Sequence, residues 1–305
     1  REILTNFGLY EVINYSFVGE DSARVDGSES GSGIRLINPL SEEQVLLRKH
    51  IFPSLLENLR YNLNRENRDI RIFEIGRAFT AKENQSRERE HISALLYGER
   101  YGMNWSHPRG AVDFYDIKGL LESLMAGLLI EGVKFERAGE TPFLHPGKSA
   151  KLFLGGEEAG FVGEVHPTTL DDLDIEGEAF IFELSLDILA RHSKPFMRHG
   201  LVPRYPAVKR DVSFIVDRTI DYEAISSYIM GVDEIIIEGV ELFDVYCGRN
   251  IPAGKVSMAI RVTYRSKDGT LTDGEVNQLH SRIVDGLSGQ FKLEVRGGGT
   301  TPATV

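Results

Sequence analysis

The sequence predicts two domains of the α+β class, and three observations carry that reading. The chain has 305 residues, about twice a typical single domain. A stretch poor in apolar residues, Ser193 to Ala207, carries Pro195, Pro203 and Pro206 and suits neither helix nor strand. Across that stretch the pattern changes, from long β-rich runs with isolated helices to a tight strand-helix-strand-strand-helix-strand order. The expected division is a first domain over 1–195, a linker over 196–204, a second domain over 205–297 and a disordered tail over 298–305.

Composition bounds the function. With 41% apolar and 27% charged residues, this is ordinary globular protein with ample core. The longest apolar run, Leu124 to Ile130, is far short of the ~18 residues of a membrane span, so no membrane partner is expected. A single cysteine, Cys247, excludes an internal disulfide and a multi-cysteine metal site, which makes a reducing, cytoplasmic setting the default. No signal peptide is visible, and the lack of an initiator Met with a helical start at Arg1 suggests a fragment. The net charge of -11 argues against indiscriminate coating of nucleic acid. The charge is uneven: residues 201–305 hold 12 Lys and Arg against 14 Asp and Glu, so the C-terminal third is the better candidate for any RNA contact.

In order, Arg1 to Leu9 reads as the end of a helix with Gly8 near its C-terminus, followed by a strand YEVINYSFV. After a Gly/Ser-rich turn, Ser41 and Gln44 form a capping box for a helix carrying Val45, Leu46 and Leu47. Pro53 suits the first turn of a further helix with Leu55, Leu56, Leu59 and Leu63 on one face. A charged turn leads to the β-rich run IRIFEIGRAF, and a second strand over Glu88 to Glu99, HISALLYGE, makes a hairpin with it, the two strands flanking Thr80 to Arg89. Residues 113–129, DFYDIKGLLESLMAGLL, repeat apolar positions at helical spacing. AKLFL and GFVGEVHP form a hairpin about Gly155 and Gly156, and AFIFELSLDILARH, 179–192, is a strand then a helix. His145, Glu164 and His166 invite a metal reading, but the histidines lie 21 residues apart and a structural role is expected.

LLRKHIFPSLL followed by IFEIGRAF resembles the core of the class II aminoacyl-tRNA synthetases, in the version found in beta subunits of bacterial phenylalanyl-tRNA synthetases, and DFYDIKG matches the same family. The resemblance implies a class II-like antiparallel sheet with helices, and a dimer interface built by the helix-strand unit at the N-terminus. It also implies that the module is inactive. The arginine that active members place after the aromatic of the motif 2 strand falls here on Thr80, and the motif 3 region has Glu183 to Asp187 where the family's active modules carry their arginine. Thr80 and Asp187 are therefore degenerate ATP-site positions, with no catalytic residue and no metal expected in this piece. ATP and Mg2+ would belong to the complete enzyme.

After the linker, KRDVSFIVD, DYEAISSYIMGVD, IIIEGVELFDVYCG, VSMAIRVTYRS, DGEVNQLHSRIVDGLSGQF capped by Thr272, and KLEVRG give the order βαββαβ of ferredoxin-like and RNA-recognition folds. YPAVKRDVSFIVD, VELFDVYCG and IPAGKVSMAIRVTYRSKDGTLTDGEV resemble the ferredoxin-fold anticodon-binding domain of the same family. Alternation buries Met258, Ile260, Val262 and Tyr264 under the helices and turns Arg261 and Arg265 to the open face, with Arg210 and Lys267 at nearby strand ends and Arg249 in a loop. These five are the candidate tRNA-binding residues. The resemblance implies an α2β2 assembly with a catalytic alpha subunit that joins phenylalanine to tRNA(Phe), to which this piece contributes subunit interface and anticodon contact. A free-standing RNA-binding module and an amino-acid-binding relic are the alternatives.

Overall fold

A strand that is apolar on both faces needs helices on both sides, and AFIFELS is such a strand, with all seven residues buried. The computed structural model describes every residue except 28–32, 40, 42–43, 83–84, 103, 140, 197–201 and 297–305. Its elements are α1 (Glu2–Asn6), β1 (Tyr10–Glu11), β2 (Phe17–Val18), α2 (Glu20–Arg24), β3 (Leu46–Leu47), α3 (Phe52–Leu63), β4 (Ile70–Lys82), β5 (Gln85–Tyr97), α4 (Phe114–Gly127), β6 (Lys134–Arg137), β7 (Leu144–Leu154), β8 (Glu157–Val165), α5 (Pro167–Asp171), β9 (Ala179–Ser185) and α6 (Leu186–His192), then β10 (Val208–Asp217), α7 (Tyr222–Val232), β11 (Ile237–Tyr246), β12 (Lys255–Tyr264), α8 (Asp273–Phe291) and β13 (Glu294–Arg296). The chain divides into two compact units, Arg1–Arg198 and His199–Val305.

In the first unit β9 lies at the centre of a seven-stranded sheet ordered β1-β4-β5-β9-β8-β7-β6, antiparallel except where β1 runs parallel to β4. One face, with Ile72, Leu95, Ile181 and Phe161, packs against Phe52, Leu55, Leu56 and Leu59 of α3. The other, with Phe73, Ala94, Phe182 and Val162, packs against α1, α4 and α6 through Leu4, Ile117, Leu121 and Ile188. Gly160 (φ +151°) lets β8 approach β9, since a Cβ there would fall on the Glu183 carbonyl oxygen. His145, Glu164 and His166 go separate ways. His145 Nδ1 accepts from the Gly147 amide, Glu164 pairs with Lys148 and His166 caps α5.

Two expectations fail here. The segment after Ser41 is a strand and not a helix: Val45 N–H donates to Val18, Arg48 N–H to Ser16, and Leu46–Leu47 pairs antiparallel with Phe17–Val18. Burial of Val45 and Leu46 against Val18 outweighs the local helix signal. The strand expected over residues 10–18 is two short ones. Between them Asn14 is tied to β4 and α3, its side-chain amide donating to Glu74 and Asn58, both at 2.8 Å. Alternation alone gave no sign of β6, α2 or α5.

The second unit has four strands in the order β11-β12-β10-β13, with α7 and α8 contributing Ile225, Ile229, Val276, Leu279, Ile283 and Leu287 to a single core beneath one face. Thr272 caps α8 through a reciprocal box with Glu275, as the sequence indicated. No helix among the described residues is long and apolar enough to cross a membrane.

Candidate nucleic-acid interface

Residues directly opposite in an antiparallel ladder share a face, so the register of β12 against its neighbours defines what the uncovered side of the second sheet presents. Arg261 stands between Asp211 of β10 and Glu241 of β11. Its guanidinium grips Asp211 in a fork, Nε to Oδ1 at 2.7 Å and Nη2 to Oδ2 at 2.8 Å, and lies 5.2 Å from the centroid of the Phe243 ring. The hydrogen bond from Arg261 is the main reason the Asp211 carboxyl is held below its usual range.

Two aromatic side chains of this face are not among the residues singled out from the sequence. The ladder slips between Leu242 and Asp244, a β-bulge that sets Tyr246 opposite Ser257 on the uncovered face instead of beneath the helices. Phe243 and Tyr246 are 48% and 47% exposed, so their rings are open to stacking. Gly248 makes room for Tyr246, because a Cβ there would collide with the phenol. The sequence signal was present in VELFDVY: alternation sets Phe243 on the face of Glu241, and what period-2 counting could not supply for Tyr246 was the extra residue.

The five sequence-nominated cations separate. Arg265 follows the end of β12 with the parity of Arg261, donating from Nε to Glu238 at 2.9 Å and from Nη1 to the Tyr205 carbonyl at 2.8 Å. Arg249 and Lys267 are exposed and make no ion pair among the described residues. Arg210 is on the other side. It has the parity of Val212 and Phe214, and it donates to Asp273 at 2.7 Å and Asn277 at 3.2 Å on α8, so the expectation that it borders the open face is corrected. Nearby, Tyr264 shares a 2.8 Å hydrogen bond with His280, and burial pushes its phenol well up.

In the first unit the positions singled out by resemblance hold no cation. Thr80 is exposed near the end of β4, and Asp187 is exposed in the first turn of α6, where its charge favours the helix N-terminus. Glu183 has a different task. Fully buried, it accepts from the amides of Ile51 (2.8 Å) and Phe52 (3.0 Å) at the start of α3, and from Nδ1 of His91 (2.9 Å) and His50 (3.1 Å). Burial alone would raise its pKa, but His50 and His91 together hold the carboxyl far below the ordinary range. Burial would likewise lower the pKa of His50, and the charge and hydrogen bond of Glu183 reverse that and raise it. Phe52, Phe143 and Phe161 pack on one another and on His50, with ring centroids 4.6 to 5.9 Å apart, so an aromatic cluster surrounds the imidazole that pairs with Glu183. A second buried charge, Arg48, pairs with Glu74 at 2.7 Å and donates to the Arg77 carbonyl.

The N-terminal segment exposes several large apolar side chains close together in sequence. Phe7, Tyr10, Ile13 and Tyr15 are 49%, 75%, 92% and 75% exposed, and Tyr15 and Phe17 border an open cleft of about 860 Å³ beside α2 and α3.

Comparison with known proteins agrees with these two units. Residues 1–186 match the family model for the phenylalanyl tRNA synthetase beta chain CLM domain, and residues 203–296 match that for the ferredoxin-fold anticodon binding domain. Among curated proteins, the phenylalanine–tRNA ligase beta subunits of Syntrophus aciditrophicus, Clostridium tetani and Geobacillus kaustophilus are 35%, 36% and 35% identical over 97% of this chain. The chain spans a little over a third of their length, 38%, 37% and 37% respectively. A solved pyrrolysyl-tRNA synthetase from Desulfitobacterium hafniense overlays on 62% of this chain and 64% of its own at a TM-score of 0.48 and 13% identity, too loose an overlay to argue from.

Proposed function

The chain belongs to the phenylalanyl-tRNA synthetase beta chain family, and from that premise we propose that it is a non-catalytic portion of phenylalanine–tRNA ligase that binds the anticodon region of tRNA(Phe) and docks the catalytic alpha subunit. The observation that carries the reading is the uncovered sheet face, where Phe243 and Tyr246 offer stacking platforms beside Arg261, with Arg249 and Lys267 outside any ion pair of the described residues in flanking loops. Splayed anticodon bases need such a surface: aromatic planes for the bases and guanidinium groups for phosphates and base edges.

The first unit supports the structural half of the proposal. A triphosphate needs fixed positive charge, and Thr80, Glu183 and Asp187 supply none, so ATP and Mg2+ do not fit at these positions and are assigned to the alpha subunit. The apolar surface from Phe7 to Tyr15 is assigned to that subunit in an α2β2 assembly, and it needs ~1,000 Å² or more of buried area to hold a stable partner.

The test uses the whole chain. Fluorescence anisotropy should show that it binds an anticodon stem-loop of tRNA(Phe) in preference to an acceptor-stem minihelix, with no pyrophosphate exchange when phenylalanine and ATP are added. Equal affinity for the two RNAs, or measurable exchange, would overturn the reading.

A further inference from the structure

The β4–β5 hairpin is longer than the sheet that holds it. Each strand has 13 residues, but β5 meets β9 only from His91 to Tyr97 and β4 meets β1 only at Ile72 and Phe73. From Gly76 to Lys82 and from Gln85 to Glu90 the two strands run on as a ribbon with neither edge in a ladder. Among the described residues its hydrogen bonds to the body run from the Phe79 amide to Arg48 O and from Arg48 Nε to Arg77 O, and Ala78 is buried beside them. Such a ribbon is marginal in water, and residues 86–90 are exposed throughout.

Register sorts its charge by face. Arg89 is opposite Ala78 and Arg87 opposite Thr80, so both guanidiniums leave on the side that carries His91, Glu183 and α3. Glu88 and Glu90 leave on the other side with Arg77, and Arg77 pairs with Glu88 at 2.7 Å. Neither Arg87 nor Arg89 makes an ion pair or a side-chain hydrogen bond among the described residues. On a chain of net charge -11, this is a local cationic strip, its two groups about 7 Å apart along the strand.

From this arrangement we propose that the ribbon is a second RNA contact, in which Arg87 and Arg89 bind successive backbone phosphates of the tRNA outside its anticodon loop. The chemistry selects that ligand. Guanidinium forks suit phosphate oxygens, and a spacing of two residues along a strand suits a linear polyanion. An exposed ribbon has no walls to enclose a small anion. Nor does it carry a large exposed apolar side chain to anchor a protein, since none occurs between Tyr61 and Tyr101 among the described residues. The inference rests on the reading that this chain serves a tRNA ligase.

The experiment measures binding of tRNA(Phe) and of its anticodon stem-loop to the enzyme assembled from full-length subunits, across salt concentrations. Arg87→Ala/Arg89→Ala should weaken whole-tRNA binding roughly tenfold and lower the slope of log affinity against log salt by about 1 to 2, leaving stem-loop binding unchanged. Arg87→Lys/Arg89→Lys should keep most of the salt slope, and Glu90→Ala, on the opposite face, should not weaken binding. Unchanged affinity and slope in the alanine variant would overturn the proposal. So would loss of subunit association in sedimentation, which makes the ribbon a protein contact, or competition by millimolar ATP, which makes it a nucleotide site. Failure of the stem-loop to bind the unaltered enzyme would instead sink the anticodon reading, so the two failures are distinguishable.

Discussion

The two sheets of this protein differ in how many faces they cover, and that difference decides what their charged residues do. The seven-stranded sheet is packed on both sides, and its innermost charge, Glu183, serves architecture: every hydrogen bond it makes holds the start of α3 or orients a histidine. The four-stranded sheet is packed on one side, so charges on its other side pair at the surface, where a partner can compete for them. A buried carboxylate that loses its role leaves donors stranded in a low dielectric, whereas a surface pair exchanges with water at little cost.

The sharpest way to break the comparison is Glu183→Gln. It should cost the first unit about 3 kcal/mol or more, because two backbone amides and two imidazoles share that one carboxylate. In urea titrations followed by probes in each unit, the second unit should keep its midpoint. The pH dependence has a defined sign. The Glu183 pKa is depressed on folding, so its contribution is present above the ordinary carboxylate value of 4.5 and is lost as pH falls below it. The His50 pKa is raised, so its share is present below 6.5 and is lost as pH rises through the folded value. Both limbs should flatten in the glutamine variant. Equal stability of the Glu183→Gln protein and the unaltered one at every pH would show that the buried carboxylate is dispensable.

On the one-sided sheet the largest effects should come from the rings. Phe243→Ala and Tyr246→Ala should each weaken anticodon stem-loop binding by ~1 to 3 kcal/mol, the scale of base stacking. Chemical denaturation should register little change, since both rings are about half exposed. If RNA binding survives both substitutions, the uncovered face is not the platform.

Much of this architecture was legible because apolar periodicity and turn chemistry agree over long segments, as in α3, the β4–β5 hairpin, the turn at Gly155 and Gly156, and the capped α8. Legibility stopped where tertiary pairing overrode local preference. Val45 to Leu47 has a cap before it but finds a strand partner in Phe17 and Val18. In the same way, the bulge at Phe243 inverts the face of Tyr246, and Arg210 was placed by its nearness to a strand end when its parity pointed the other way. Glu183 was visible only as the loss of an arginine. That it clasps a helix starting 131 residues earlier is a long-range fact to which no local pattern points.

A smaller effect tests whether surface pairing restrains the open face. Arg261 must share or surrender Asp211 to meet a phosphate, so Arg261→Ala should weaken RNA binding only a few-fold. Arg265→Ala should behave alike, because Glu238 and the Tyr205 carbonyl already hold its guanidinium. Asp211→Asn should tighten binding by a comparable factor, since it frees the fork and removes a negative charge from the face. Weaker binding in the asparagine variant would mean that Asp211 is needed to aim Arg261.

The smallest effect on RNA is expected at Arg210, which points to α8 and should be silent in anisotropy titrations. Its influence lies in the core instead. The pKa of His280 is lowered first by burial and then by the positive charge of Arg210, while Asp211 pulls the other way. Arg210→Ala removes the second cause and keeps the first, so the imidazole should titrate at a higher pH than in the unaltered protein while remaining below its ordinary value of 6.5. Proton NMR of the His280 ring reads this directly. A shift in RNA affinity together with an unmoved imidazole would place Arg210 on the binding face and erase the division between the two sides of the sheet.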